Sequence, residues 1–360
     1  MTISDRTCFN RTFPGHIFAR LSRLCRVARP PLIPALMLAG LLLSWPAAAV
    51  TFKVATVSPD GSGWMTRLRE AAKEISERTD GRVTFKFYPG GVMGDDKAVL
   101  RKIRSGQLHG AVLTAGGLVQ VYSDIQLYTL PMIFNNLEEV DYVRERMDPT
   151  LMAGLRRNGF VGFGIAEVGF AYAMSKVDVD TFDDIRDERV WIPDGDPGAE
   201  LAIRTFGITP IPLSIADVLG GLQTGLINTV AVPPVGAIAL QWHTQLKYVF
   251  DLPLLYVYGL LVVRDKQFDR LDPADQKVVS EVMGKAVREV NAQDRKDHER
   301  AVEVLKSQGL VFRVPTPEEA ARWKALAVKA SDELIDQGVI SADLYQKLED
   351  ELETYRGSLD

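Results

Sequence analysis

The sequence predicts an exported α/β protein built from two lobes, and three observations support this. The first is an N-terminal segment that resembles a secretory leader. The second is an alternation of strands and helices that occurs twice along the rest of the chain. The third is a pair of apolar stretches, Gly169–Ser175 and Leu254–Arg264, each long enough to cross from one lobe to the other. Strands that alternate with helices favour a parallel sheet covered by helices, so two such units predict two lobes with a cleft between them.

Residues 1–49 have the pattern of a cleavable secretory signal. Six arginines and one acid precede an apolar run from Leu32 to Trp45, and the small residues Ala47–Ala49 follow. A basic part, a short apolar part and an A-x-A end are the three parts of such a signal. The alternative is a retained membrane anchor, but the run is shorter than the ~20 residues that a spanning helix needs. The sequence therefore predicts cleavage near Ala49 and a periplasmic location.

The composition of the remaining chain argues against several classes of partner and site. The whole chain has 42 Lys and Arg against 47 Asp and Glu, and the leader accounts for six and one of them, which leaves a charge of about −10 (36 − 46). Nucleic-acid binding needs a basic surface, so we predict no nucleic-acid partner. Cys8 and Cys25 both lie in the leader, so the mature chain has no thiol. His109, His243 and His298 lack metal-ligand spacing, and we predict neither a metal nor a cofactor.

The first α/β unit is predicted over residues 50–168. Alternating apolar residues indicate its strands, and apolar residues on one helical face indicate its helices. The predicted elements are strand Thr51–Ser58, helix Trp64–Arg78, strand Arg82–Tyr88, helix Asp95–Ser105 and strand Gly110–Thr114.

The second unit is predicted mainly over residues 169–264, with an apolar hinge strand at each end. Its elements are strand Arg189–Ile192, helix Gly198–Phe206, strand Ile208–Leu213, helix Ser214–Thr224 and strand Asn228–Val232. Ser214 and Asp217 have the spacing of a capping box at the start of the last helix.

Residues 265–360 are predicted to be mostly helical and to pack on both lobes. Asp272 and Pro273 form a helix start, and the helix extends to Gln308 before Gly309. Its centre, Asn291–Arg300, is almost entirely polar, which favours a long helix that bridges the lobes with its centre in water. A second helix is predicted to begin at Thr316.

Several short segments resemble the binding proteins of tripartite ATP-independent periplasmic (TRAP) transporters, the DctP type. They occur in the family's order and extend over nearly the whole mature chain. The segments are Tyr88–Asp96 (YPGGVMGDD) with Ile103–His109, then Leu130–Phe134 (LPMIF), Leu222–Asn228 (LQTGLIN) and Leu271–Gln276 (LDPADQ). The resemblance implies a type II, cluster C-like binding fold with hinge strands and a long helix across both lobes. It also implies an ion-gradient-driven membrane permease as the partner.

The chain departs from the family pattern at three positions. The family's K-I-R-V-P segment carries an arginine that clamps the substrate carboxylate, and here Trp191 stands in its place. Ala171 stands where a second arginine often follows N-G-F, and Val232 stands where an asparagine is usual. A bidentate arginine–carboxylate pair is a strong contact, whereas an indole offers a flat apolar surface. We therefore expect an aromatic or largely apolar ligand rather than a C4-dicarboxylate.

The candidate ligand-binding residues are those at and around the altered positions. Trp191 either forms the floor of the pocket or packs between the lobes without contacting ligand. Glu167 and Asp196 could be surface acids or could bind a hydroxyl or amine of the ligand, and a buried acid would disfavour an anion. The remaining aromatic candidates, each of which could be a core residue instead, are Trp64, Phe170, Tyr122 and Tyr172.

We predict a solute-binding receptor, not an enzyme, that captures a small organic ligand and delivers it to TRAP permease subunits. No catalytic residue is assigned, since the chain has no G-x-S-x-G motif and no complete dinucleotide or phosphate loop. Two alternatives remain: a receptor that feeds a signalling partner, and an exported hydrolase. A monomer is expected.

Overall fold

The computed structural model describes residues 49–359, and the predicted leader lies outside them. Within this range the chain forms nine strands and twelve α-helices. The strands are β1 Val50–Thr56, β2 Val83–Tyr88, β3 Gly110–Thr114, β4 Phe160–Ser175, β5 Trp191–Pro193, β6 Ile211–Leu213, β7 Thr229–Val232, β8 Tyr248–Arg264 and β9 Val311–Arg313. The helices are α1 Gly63–Arg78, α2 Asp96–Arg104, α3 Ala115–Leu118, α4 Leu137–Arg157, α5 Phe182–Arg186, α6 Pro197–Thr205, α7 Val218–Thr224, α8 Pro234–Ala239, α9 Asp265–Phe268, α10 Pro273–Ser307, α11 Pro317–Asp336 and α12 Ala342–Gly357.

The main sheet has strands in the order β2-β1-β3-β8-β4-β7, with β9 beside β8. β1 pairs in parallel with both β2 and β3, which confirms the predicted β-α-β-α-β unit of the first lobe. In the second lobe β5 and β6 form a separate parallel pair, and Val190 bridges in parallel to Thr229 at the start of β7. The predicted α/β class is confirmed.

β4 and β8 are two long antiparallel strands that belong to both lobes. The end of β8 pairs with β3 of the first lobe, where Val263 lies opposite Gly110. The first residues of β8 pair with β9, and the end of β4 pairs with β7 of the second lobe. The predicted hinge stretches lie inside these two strands. The two-lobed fold follows from this arrangement, because the same pair of strands connects both ends of the molecule.

The register between β4 and β8 is interrupted by irregularities. It shifts between Gly162 and Ile165, between Glu167 and Gly169, and between Ala171 and Ala173. Gly169 has φ +107°, a conformation that suits glycine. Bulges of this kind bend a strand and redirect its side chains. The predicted boundary between residues 168 and 169 falls at the second shift, and the division into lobes at that residue stays a prediction.

The predicted long helix is confirmed as α10, which packs on α1, β4 and α8. Half of the residues in its polar centre are exposed, as expected, and the opposite side contacts β4. Asn291 accepts a hydrogen bond from the backbone N–H of Glu167 (2.7 Å) and donates one to the carbonyl of Ile165 (3.0 Å). The Asn291 side chain thus satisfies two backbone groups of β4 that its irregular register leaves free. The centre of α10 is therefore attached to the hinge strand.

The expected capping box at Ser214 is not formed. Ser214 donates a hydrogen bond to the carboxylate of Asp217 (2.6 Å), and a 3-10 turn over Ile215–Asp217 precedes α7, which begins at Val218. The two side chains bond to each other, so neither one caps the helix. By contrast, Thr316 caps α11 as predicted, by accepting from the backbone N–H of Glu319 (3.3 Å).

Candidate ligand-binding cleft

A cavity of about 880 Å³ extends from the cleft between the lobes into the second lobe. Its walls come from both lobes: α1 and β3 on one side, β5, α6 and β7 on the other, with β8 and α10 between them. The lining is mostly apolar. A mostly apolar concave site with a few polar groups is the usual form of a small-molecule site, so this cavity is the candidate binding site.

Three tryptophans contribute to the wall of the cavity near the cleft. Trp191 on β5 is 8% exposed, packs edge-to-face on Trp242 with ring centres 5.1 Å apart, and donates from Nε1 to the carbonyl of Leu213 (3.0 Å). Trp64 on α1 lines the cavity from the first lobe and donates from Nε1 to Asp294 on α10 (2.8 Å). The hydrogen bonds from the indole nitrogens of Trp191 and Trp64 fix the planes of these two rings. Their aromatic surfaces are therefore held in place before a ligand binds.

The side chain of Asp196, in the second lobe, is hydrogen-bonded to the first lobe. It caps α6 by accepting from the backbone N–H of Ala199 (2.9 Å), and the same oxygen accepts from the Nε2 of Gln126 in the first lobe (2.7 Å). A Cβ on Gly116 would overlap its carboxylate, so only glycine fits there. Burial raises the pKa of Asp196, and the hydrogen bonds from Ala199 and Gln126 partly oppose that rise. A second cross-cleft contact joins Lys97 to Asp194 (2.8 Å).

Carboxylates outnumber cations in the cavity lining. Among the described residues that line it, the acids are Glu70, Asp196, Asp294 and Asp297, and the basic side chain is Arg67. Arg67 already pairs with Glu70 at 2.8 Å. A ligand carboxylate would thus meet more negative than positive charge, with no unpaired guanidinium on the described walls to bind it.

The structure brings four of the seven candidate residues together at the cavity: Trp64, Trp191, Asp196 and Val232. It does not bring Glu167, Phe170 or Ala171 there, although Val168 and Ala173 of the same strand line the wall. The register shifts in β4 explain this difference, because each bulge changes which side chains face a given side. Phe170 packs on Tyr256 instead (5.8 Å between rings), and Ala171 is fully buried.

Glu167 belongs to a buried ion-pair network behind the cleft. Its carboxylate accepts two hydrogen bonds from Arg295 on α10 (2.9 and 3.0 Å) and one from the hydroxyl of Tyr256 (3.0 Å). The other aromatic candidates, Tyr122 and Tyr172, pack against the hydrophobic core and do not line the cavity. Gln126, Trp242, Asp294 and Trp323 are among the lining residues that the sequence analysis did not single out.

Residues 54–337 match the family model of the bacterial extracellular solute-binding proteins, family 7, the DctP family. The chain belongs to this family. It is 26% identical over 292 residues to the C4-dicarboxylate-binding periplasmic protein DctP of Rhodobacter capsulatus, covering 79% of this chain and 85% of that protein. The predicted resemblance is confirmed.

Solved structures of TRAP periplasmic solute-binding proteins have the same fold. One from Ralstonia eutropha with bound (S)-2-acetolactate superposes with a TM-score of 0.78 at 22% identity, covering 84% of this chain and 99% of that chain. One from Sulfurospirillum deleyianum with bound succinate gives 0.76 at 19% identity, over 84% and 99%. Within residues 49–359 no helix is both long and apolar enough to cross a membrane, and no group of three or more acidic, histidine or cysteine side chains could hold a metal ion.

We expect Asp294→Asn to be more stable than the parent at pH 8, by about 1–2 kcal/mol, and equal to it at pH 4. Burial raises the pKa of Asp294 to about 7, and the hydrogen bond from Trp64 opposes that rise. The folded carboxyl therefore holds more protons than the unfolded one between about pH 4 and 7, so stability falls as the pH rises through that window. Urea unfolding at several pH values measures it.

The control is Asp297→Asn, which removes a carboxylate one turn away on α10, where the side chain is 42% exposed. If Asp294→Asn and Asp297→Asn change the pH dependence of the free energy of unfolding to the same extent, the burial of Asp294 is not the cause of that dependence.

Proposed function

We propose that this protein is a periplasmic receptor that captures a small organic ligand and delivers it to a TRAP membrane permease, without catalysing a reaction. Membership of the extracytoplasmic solute-binding family supports the receptor role, and the leader-like residues 1–49 support the location. A two-lobed fold with one large cleft is suited to enclosing a ligand. We also propose that the receptor acts as a monomer.

We further propose that the ligand is aromatic or largely apolar, and neutral or cationic rather than a dicarboxylate. The observation that carries this is the lining of the cavity, which is mostly tryptophans and aliphatic side chains and has four carboxylates against one paired arginine. Apolar area removed from water contributes about 25 cal/mol per Å², so the cavity favours apolar ligands. Asp196, which is buried, and Asp294, which is partly buried, disfavour anions, since like charges repel each other more strongly where water is excluded.

The ligands of the solved neighbours argue against an apolar ligand. The relatives cited above were named for, or solved with, carboxylates such as succinate and acetolactate. Those structures are less than a quarter identical to this chain and share its fold. The positions where the family's arginines would stand are Trp191, which lines the cavity, and Ala171, which is buried away from it. The carboxylate clamp that the family pattern describes thus has no counterpart at these two positions.

Isothermal titration calorimetry with matched ligands tests the proposal. Indole-3-acetate and tryptamine share one ring system and differ in charge, and benzoate, sialic acid, malate and succinate extend the panel. We expect tryptamine or uncharged indole to bind at least about tenfold more tightly than indole-3-acetate, a difference of about 1.4 kcal/mol. The proposal is wrong if succinate or malate binds tightly while no aromatic or apolar compound does.

We expect ligand to make the particle more compact, because it adds contacts to both lobes and so favours the closed arrangement. Small-angle X-ray scattering with and without saturating ligand measures the radius of gyration. Lys97→Ala removes a cross-cleft ion pair without changing the cavity lining, so this variant should be more open without ligand. An identical particle with and without ligand in both proteins would contradict hinge closure.

A further inference from the structure

The cavity continues past the cleft into an inner chamber inside the second lobe. Residues of α6, α11 and β8 border the chamber. We define it by six lining residues: Ala202 and Phe206 on α6, Leu254 on β8, Trp323 and Leu334 on α11, and Ile340 just after α11. All six are buried from solvent, yet they border the same cavity as Trp64 and Trp191. The chamber is thus an internal extension of the cleft and not a surface groove.

Such a chamber is unusual for a protein interior. Protein cores are packed as densely as organic crystals and have few voids larger than a water molecule. A space lined by Phe206, Leu334 and Ile340 offers water few polar partners, so it is not a favourable place for ordered water. An apolar extension of a binding cleft is therefore best explained by an apolar part of the ligand that enters it.

Two residues that line the cavity each have a buried polar atom without a hydrogen-bond partner among the described residues: Nε1 of Trp323 and Oε1 of Gln126. Trp323 is 2% exposed and is surrounded by the rings of Phe182, Phe206 and Phe250 at 5.1, 5.7 and 5.6 Å. Its N–H is a donor only, and burying it unpaired is unfavourable. A ligand atom that accepts a hydrogen bond would satisfy it.

The second unpaired atom, Oε1 of Gln126, belongs to the end of the cavity nearer the cleft. Gln126 uses its Nε2 to bond Asp196 and lies against Gly198 at the start of α6. Its free Oε1 is an acceptor, and Asp196 beside it is an acceptor as well. This end of the cavity therefore suits a ligand group that donates hydrogen bonds, such as a hydroxyl or an ammonium group.

We infer that the ligand is an elongated molecule whose hydrogen-bond-donating head lies beside the bonded pair of Gln126 and Asp196. Its apolar body extends into the inner chamber and carries an oxygen acceptor that reaches Trp323. This inference rests on the proposed apolar ligand of the same cavity and names its shape and polarity.

The test uses straight-chain amines as probes, because their head donates hydrogen bonds and only their length changes. Butylamine, hexylamine, octylamine and decylamine are titrated calorimetrically into the mature protein. We expect affinity to rise about threefold to fourfold for each added CH₂ that enters the chamber. An ω-hydroxyl on octylamine supplies an acceptor at the far end, so 8-amino-1-octanol should bind more tightly than octylamine despite being more polar.

Two variants locate the effect. Ala202→Trp fills the chamber and should abolish the dependence of affinity on chain length. Trp323→Phe keeps an aromatic ring but removes the N–H, so it should keep the length dependence and lose the preference for the hydroxyl. If Ala202→Trp does not fold, Trp323→Phe alone decides the test. Val328→Trp is the control, since it introduces the same side chain at an exposed position of α11.

The outcomes separate the two proposals. If indole and butylamine bind the parent protein but decylamine binds no better than butylamine, the chamber does not receive the ligand and the proposed function stands. If the hydroxyl preference persists in Trp323→Phe, the indole N–H is not its source and the inference is overturned. If neither indole nor any amine binds, the proposed apolar ligand is itself wrong.

Discussion

Trp191→Ala is expected to weaken binding of the cognate ligand by about 2–4 kcal/mol, the scale of losing a buried aromatic contact. This corresponds to roughly 30- to 900-fold in affinity. Trp191 lines the cavity and is held by its hydrogen bond to Leu213 and by Trp242. Truncation removes a flat wall of the cavity and also frees the Trp242 ring to move. Calorimetry with the tightest compound of the ligand panel measures the loss.

The same truncation also affects the core of the second lobe, so its effect on stability must be separated from its effect on binding. Trp191 packs in one hydrophobic cluster with Met174, Leu222 and Val230. The carbonyl of Leu213 keeps a partner in the variant, because the backbone N–H of Asp194 also donates to it (3.1 Å). Leu222→Ala is the matched control: Leu222 is fully buried in the same cluster but does not line the cavity. It should lower stability by about 2–5 kcal/mol and leave affinity nearly unchanged.

Trp191→Arg places a guanidinium where the family pattern has one. We expect it to abolish binding of the cognate ligand, because an unpaired buried charge is strongly unfavourable. It should not create a dicarboxylate receptor, since Val232 beside it is apolar and Ala171 does not face the cavity. Tight binding of succinate by the parent protein, left intact by Trp191→Ala, would show that the indole does not form the pocket.

The sequence predicted most of the fold because the relevant signals are local. Alternation of apolar residues located β1 and β2 to within two residues at each end, and Asp272 with Pro273 located the start of α10. Such periodicities and caps act within a few residues and need no knowledge of the partner elements. The order of two α/β units then predicted the lobes.

The site was predicted less completely because its geometry depends on non-local features. Period-two alternation places residues 167, 169 and 171 on one face, but the bulges in β4 break that period, and Val168 and Ala173 face the cavity instead. Trp323 is contributed by α11, more than a hundred residues after β5, and its sequence context is that of an ordinary apolar helix face. No pattern in the chain indicates that the cavity extends to residues of α6 and α11.

Arg295→Met is expected to destabilise the protein by about 3–5 kcal/mol at pH 7, because it leaves the Glu167 carboxylate buried without a cation. Glu167 is 2% exposed, and Arg295 donates to both of its oxygens while also binding Asp141 (2.6 and 2.7 Å). Tyr256 would remain as the one hydroxyl donor to that carboxylate. Urea unfolding followed by circular dichroism measures the free energy of unfolding.

A double variant assigns this loss to the buried charge. Combining Arg295→Met with Glu167→Gln should recover most of the lost stability, since no unpaired charge remains at Glu167.

Arg300→Met on the same helix is the control, because Arg300 is 75% exposed and its contact with Asp297 is 3.7 Å long. An exposed pair of this kind contributes at most about 1 kcal/mol. If Arg295→Met costs no more than Arg300→Met, the network is not what attaches α10 to the hinge strand. A large loss that Glu167→Gln recovers would instead identify Glu167 as the buried anchor between α10 and β4. That result would also explain why Glu167, which is close in sequence to Ala171, lies behind the cleft and not in it.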